Sequence, residues 1–377
     1  MLKSLSHQPD SILIYSLSIL VLVGLLMLFT SSIVLSKEKT RSEINPNGTA
    51  TYYLFHQILY GLIPGVILAY ICSKIPLNFF KTISPLLLIS SIFLLALIFV
   101  PGFGFSAGGA TRWIKIGFIT FQPSEFAKLS LCFYLAAFLA KKVKEKKIRS
   151  FKETIVPLII ILIPFIISLL VQPDMGTFGI LSIISLLMLF GARGSISHIL
   201  FLVSLGIVIL FFSAFYFFPY QAERILTFLN PQEDVLERGY QINQSLIALG
   251  SGGIFGRGLG NGIQKYNYLP QPMNDTIFAV WAEETGFIGS VIVIVLFLMI
   301  CWRGFIIAKR AANVFSQLLG VGITSWIGMQ AFLNIMAVSG LIPFSGMPLP
   351  FISYGSSALI CNLIGAGVLI NISRRTI

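Results

Sequence analysis

Asp275 closes a long polar segment and stands just before the apolar run Ile277-Phe278-Ala279-Val280-Trp281, so its carboxylate sits where water meets an apolar phase. Partial desolvation raises the basicity of a carboxylate there and fits it to take a proton from a hydroxyl group. The same position suits an N-cap, whose side-chain oxygen accepts from an unpaired backbone N–H of the next helix. Position alone leaves both roles open. Few other ionisable groups interrupt the apolar stretches, where each costs about 2.5 to 3.5 kcal/mol at a membrane helix centre and so marks function or internal pairing. Glu125 and Lys128 are three apart on one helical face and fit either a neutralising pair or the wall of a cavity. Asp174, in Gln172-Pro173-Asp174-Met175-Gly176-Thr177, is expected to cap the helix that follows. Glu283 and Glu284 are adjacent, hence about 100° apart on a helix, so at least one should line a polar interior.

Between Gly250 and Gly262 seven of thirteen residues are glycine, which lets backbone approach a ligand closely and present consecutive N–H groups to an anion. With Gly252, Gly253, Arg257 and Lys265 in or near it, this loop is a candidate diphosphate cradle, although a tight turn between surface helices explains the glycines nearly as well. It does not follow a strand, as a dinucleotide fingerprint would. Arg112 and Lys115 flank Trp113 like the cations of an interfacial aromatic anchor, and Arg112 is a further candidate for an anionic substrate. The histidines His7, His56 and His198 form no triad or metal pattern, and Cys72, Cys132, Cys301 and Cys361 lie far apart in or beside apolar runs, as core residues do.

The elements that must position these groups are membrane helices. Of 377 residues, 56% are hydrophobic and 11% charged, which excludes a soluble globule. The net charge of +12 is strung between apolar spans instead of forming one basic face, so nucleic acid is not an expected partner. A helix needs about 20 apolar residues to cross a bilayer core of about 30 Å. Ten stretches approach that: Ser11 to Leu35, Tyr52 to Cys72, Ser84 to Val100, Glu125 to Ala140, Ile155 to Val171, Met175 to Gly191, His198 to Phe218, Thr276 to Trp302, Phe315 to Leu341 and Phe351 to Ile372. The first is too long for a signal-peptide core and lacks a cleavage pattern, so it should remain as an anchor. Seven of the twelve residues from Lys141 to Lys152 are basic, which puts that loop and both termini in the cytoplasm. Residues 1–377 then form a single polytopic, all-α membrane domain with one large outer loop at about 219–275. Ile225, Leu226, Phe228, Leu229, Leu246, Ile247 and Leu249 predict short surface helices within it.

The chain resembles the SEDS family of polytopic peptidoglycan polymerases, which includes FtsW, RodA and SpoVE. The resemblance rests on Thr111-Arg112-Trp113-Ile114, Phe121-Gln122-Pro123-Ser124-Glu125-Phe126-Ala127-Lys128, the Gln172 to Thr177 turn, Gly239-Tyr240-Gln241, the glycine-rich loop and Pro348-Leu349-Pro350-Phe351-Ile352-Ser353-Tyr354-Gly355. It implies ten transmembrane helices with a large extracytoplasmic loop between the seventh and eighth. It also implies glycosyl transfer from lipid II and a growing strand to a β-1,4 glycan, with Asp275 as the catalytic residue. Met273-Asn274 and Thr276 depart from the family's His-Thr-Asp-Phe motif, and Tyr354-Gly355-Ser356-Ser357 departs from its Tyr-Gly-Gly-Ser. Gln264-Lys265, Tyr268-Leu269-Pro270 and Leu349 to Tyr354 are closer to the division-type, FtsW-like subgroup than to the elongation type. The resemblance further implies lipid II and the nascent strand as substrates, a divalent cation such as Mg or Mn with no organic cofactor, a class B penicillin-binding protein and division proteins as partners, and a septal place in the cytoplasmic membrane. The competing function is a lipid II flippase, for which Glu125, Lys128, Asp174, Glu283 and Glu284 would form a polar path; a divisome scaffold comes third.

Overall fold

The computed structural model describes residues 8–42, 45–107, 110–116, 119–213, 227–228, 239–266, 268–344 and 346–375. Each of the ten apolar stretches coincides with a helix over its described residues; 214–218 of the seventh lie outside them. These are α1 (Ser11–Thr40), α2 (Tyr52–Lys74), α3 (Leu77–Leu97), α4 (Pro123–Lys144), α5 (Phe151–Val171), α6 (Met175–Gly191), α7 (Ile196–Phe212), then α9 (Ile277–Lys309), α10 (Val314–Val338) and α11 (Ser356–Ser373). Seven of them, α1, α2, α3, α5, α9, α10 and α11, are long and apolar enough to cross a membrane. The helices α6 and α7 are apolar but shorter, and α4 carries Glu125, Lys128 and the lysines of its last turn. Helix α8 (Tyr240–Ser251) lies in the long loop, where Leu246, Ile247 and Leu249 predict one. Of the other apolar group, Ile225, Leu226 and Leu229 lie outside the described residues, while Phe228 is helical.

Two elements depart from the expected pattern. An antiparallel sheet, β1 (Gly104–Ala107), β2 (Ala110–Ile116) and β3 (Ile119–Phe121), stands between α3 and α4 in a chain expected to be all-α. Thr111, Trp113 and Ile114 favour extended backbone, and Phe105 faces Trp113 while Lys115 faces Thr120 across the ladders. The other departure is in α9, whose 33 residues reach about 50 Å, well beyond the bilayer core. It is broken at Gly286, with φ 69° and ψ −162°, so this span is two segments joined at a kink.

Helix α10 packs against α4, α6 and α9, and α11 packs along α2. In both helices more than 70% of the apolar stretch is enclosed by protein, against 17% in α2. Polar side chains on α10 and α11 therefore face other helices, where each needs a partner. By contrast α7 buries none of its residues. Asp10 caps α1 by accepting from the Leu13 N–H at 2.9 Å and also binds Arg303 of α9, while its own N–H reaches the Ser373 hydroxyl at 3.1 Å. The start of α1 and the ends of α9 and α11 thus meet on one side of the bundle.

Candidate active site

The site is built on the turn that leads into α9. Thr276 occupies the N-cap position, and its hydroxyl turns back to the carbonyls of Pro270 at 2.8 Å and Gln271 at 3.0 Å. Asp275 is one residue outside the helix, so it is not the cap that its position in the sequence also allowed. Instead the chain on either side of it is gripped through its backbone. The carbonyls of Met273, Asn274 and Asp275 each accept a hydrogen bond: from the Tyr354 N–H at 2.9 Å, the Ser353 hydroxyl at 2.5 Å and the Asn334 side-chain amide at 2.8 Å. Two of these donors lie on the strap 346–355, which turns at 349–353 and leads into the start of α11.

Side chains from two helices hold that strap. Asn334 of α10 donates to Met347 O at 2.7 Å as well as to Asp275 O, and Gln330, one turn earlier, donates to Pro348 O at 2.9 Å. Gln57 of α2 accepts from the Gly355 N–H at 3.1 Å and donates to Ser353 O at 3.4 Å. The next residues of α2, Ile58–Leu62, form a π-helical turn, which lets Gly61 pass close to Ser356. Gly346, at φ 64°, lies against the catalytic candidate: a β-carbon there would stand 3.7 Å from Asp275 Oδ2. Beside the strap the Tyr354 hydroxyl meets His56 Nδ1 at 3.0 Å and its ring packs edge-on against Tyr53.

The glycine-rich loop turns inward. At the Gly286 kink α9 loses its own backbone pairing, and the loop replaces it: the N–H groups of Arg257 and Gly258 donate to the carbonyls of Glu283 and Glu284, both at 3.0 Å, while those of Phe287 and Ile288 donate to Gly253 and Ile254 at 2.9 and 3.2 Å. The glycines allow this approach, since a β-carbon on Gly252 would fall 2.1 Å from Ala282 O and one on Gly256 2.2 Å from Glu284 O. The amides of Arg257 and Gly258, two of those that could face an anion, are therefore spent on the helix. Gly256→Ala, which also needs an alanine at φ 80°, is expected to cost at least about 2 kcal/mol and to lower the melting temperature in detergent.

The acidic pair of α9 serves the same loop. Glu283 accepts from the N–H groups of Ile263 at 2.9 Å and Gln264 at 3.1 Å and lies 3.7 Å from the Arg257 guanidinium. Glu284 pairs with Lys265 at 2.7 Å with both side chains fully enclosed, and Lys265 also donates to Gly260 O at 2.6 Å. Lys265 is thus committed to Glu284, whereas Arg257 keeps 37% of its side chain exposed.

The other charges fall in separate networks. Glu125 and Lys128 form a buried pair at 2.7 Å, and Lys128 also donates to Gln330 Oε1 at 2.6 Å. Asp174 caps α6, accepting from the Thr177 N–H at 3.1 Å and hydroxyl at 2.8 Å. Arg112 of β2 donates to the carbonyls of Gln172 and Pro173, the turn that ends α5, where a cation complements the helix dipole. Its guanidinium ties the sheet to the α5–α6 hairpin. Among the described residues no three His, Cys, Asp or Glu side chains converge as metal ligands.

Reading the sequence singles out Asp275 but overlooks Gln57, Gln330, Asn334, Gly346 and Ser353, which hold or border it. One signal was available: Gln330 and Asn334 are amides four residues apart within a membrane span, a spacing that puts both on one buried face.

Comparison with known proteins bears on this arrangement over the whole chain. The family model described as "Cell cycle protein", covering FtsW, RodA and SpoVE, matches residues 10–377. The chain belongs to this family. Among its relatives are Stage V sporulation protein E of Bacillus subtilis strain 168, 39% identical with 97% of each chain covered, and "Probable peptidoglycan glycosyltransferase FtsW" of Geobacter sp. strain M18, 38% identical with 97% of each covered. Two solved structures of the same fold are a chain of a peptidoglycan synthase complex that coordinates polymerization and crosslinking, and the rod shape determining protein RodA of Thermus thermophilus. The first has a TM-score of 0.76 at 26% identity, covering 97% of this chain and 98% of that one; the second has 0.68 at 25%, covering 97% of each. The membrane-embedded helical fold expected from the sequence is the fold of this family.

Proposed function

We propose that this chain is a peptidoglycan glycosyltransferase that polymerises lipid II at the outer face of the cytoplasmic membrane. Asp275 acts as general base on the GlcNAc 4-hydroxyl of lipid II. As the proton passes to the carboxylate, the hydroxyl oxygen bonds to the anomeric carbon at the end of the growing strand, and the bond from that carbon to undecaprenyl diphosphate breaks. The product is a β-1,4 linkage and the leaving group carries the departing negative charge, for which Arg257, whose side chain is 37% exposed, is the cation of the glycine-rich loop suited to a diphosphate. The observation that carries the reading is the hold on Asp275. Three successive carbonyls are anchored by backbone or side-chain donors, so the carboxylate is placed without being used as a helix cap.

The relatives named FtsW and SpoVE favour a role in septal or sporulation wall synthesis over elongation. The similarity to a peptidoglycan synthase complex supports a penicillin-binding transpeptidase as partner. A flippase path has less support, because Glu125 with Lys128, Asp174, and Glu283 with Glu284 are each tied to different partners.

The test is to purify the protein with its transpeptidase, add labelled lipid II with and without Mg2+ or Mn2+, and resolve the products on a gel. Glycan chains support the polymerase; transbilayer movement of lipid II without chains overturns it in favour of transport. Within that assay Gly346→Val, which crowds Asp275 and strains a left-handed backbone, is expected to lower the polymerisation rate at least tenfold.

A further inference from the structure

Gln330 and Asn334 lie one turn apart on α10, are 0% and 2% exposed, and both reach the strap. Asn334 is placed between the two chains that meet at the site: its single NH2 group donates to Asp275 O at 2.8 Å and to Met347 O at 2.7 Å. One side chain therefore fixes the distance between the catalytic turn and the strap that carries Gly346, Ser353 and Tyr354.

Gln330 is itself oriented. Its amide oxygen accepts from Lys128 Nζ at 2.6 Å and from Trp326 Nε1 at 2.9 Å, which leaves its NH2 group to donate to Pro348 O. Lys128 is held by Glu125 and lies over the Trp326 ring at 5.5 Å. The buried charge pair of α4 is thus connected to the strap through one amide, and the strap to Asp275 through another.

We infer that Asn334 is a positioning residue for Asp275 and that the Glu125–Lys128 pair supports it by fixing Gln330 against the strap. This rests on the polymerase reading above and adds a role for the buried pair that needs no substrate path. An amide suits this position because it donates two hydrogen bonds to two carbonyls at once and adds no charge to the neighbourhood of the carboxylate.

The test compares wild type with Asn334→Ala, Asn334→Leu and Gln330→Leu, all purified with the transpeptidase and assayed for lipid II polymerisation. A positioning role predicts that Asn334→Ala and Asn334→Leu lower kcat about 10- to 100-fold with KM changed less than about threefold, and that Gln330→Leu moves kcat in the same direction by less. Hydrogen exchange supplies a readout that does not need activity: the amides of 273–276 and 347–354 should exchange at least tenfold faster in the Asn334 variants, with α10 unchanged. Lys128→Arg, which keeps a donor for Gln330, should retain more activity than Lys128→Met. If wild type polymerises lipid II while the Asn334 variants keep kcat within twofold, or if exchange in both segments is unaltered, the inference is overturned and the polymerase stands. If α10 itself exchanges faster and KM rises in step with the loss of kcat, Asn334 serves packing alone and the inference also fails. Absence of glycan from wild type strikes the polymerase reading instead, and the exchange result then decides the inference separately.

Discussion

Asp275→Asn should reduce lipid II polymerisation by about 10^2- to 10^4-fold, the usual worth of a positioned general base, with little change in folding. The expectation of an intact fold follows from how the residue is held. The bonds from Tyr354, Ser353 and Asn334 all reach backbone carbonyls, so replacing the carboxylate by an amide of the same shape leaves the turn in place. Asp275→Glu is the companion variant: it keeps the base and moves it by about 1 Å, a displacement that costs on the order of 10^2-fold at a site dependent on orientation. Equal melting temperatures in detergent with chains made only by wild type would support the base. Full activity in the Asn variant would remove Asp275 from the mechanism.

The second large effect is expected at Lys265. Lys265→Met leaves the Glu284 carboxylate fully enclosed without its cation, and breaking a buried pair in this way costs about 3 to 5 kcal/mol. The loss should appear as a lowered melting temperature and as protease cleavage within the glycine-rich loop, because Lys265 and Glu284 lock that loop to α9 just before the kink. Lys265→Met combined with Glu284→Met removes both charges and should recover most of the stability. If Lys265→Met instead melts like wild type and raises only the KM for lipid II, the lysine is a substrate contact and the locking role is wrong. Arg257→Gln should behave in the opposite manner, weakening turnover with a small effect on melting, since its guanidinium is over a third exposed and stands 3.7 Å from Glu283.

Asp275 was legible as a candidate because a lone carboxylate at the junction of a polar loop and an apolar span is costly to place and has few possible uses. The positions of the membrane helices were legible for a similar reason. Lipid imposes one rule on every residue of a span, and that rule needs no tertiary information. Asp174 as the cap of α6 and Glu125 with Lys128 as a pair also followed from spacing, since both interactions close within one turn of helix. The β-sheet before α4 was less legible, because the helix-length criterion that finds spans is blind to strands of a few residues.

What only the tertiary structure decided is where each polar group is spent. The glycines after α8 read as an anion cradle and nearly as well as a tight turn; they form the surface on which a broken α9 completes its backbone pairing. Lys265 reads as a ligand for phosphate and is buried against Glu284, nineteen residues away. The hold on Asp275 comes from Asn334 and Ser353, 59 and 79 residues downstream of the groups they grip, and from a strap whose sequence carries no charged side chain. Hydropathy and helical period describe a residue's own segment, whereas hydrogen-bond partners in an apolar interior are set by which segments the fold brings together. The sequence by itself determined the solvent and the spans and singled out Asp275 as a candidate; the packing of α10 and the strap determined how the backbone on which that residue stands is held.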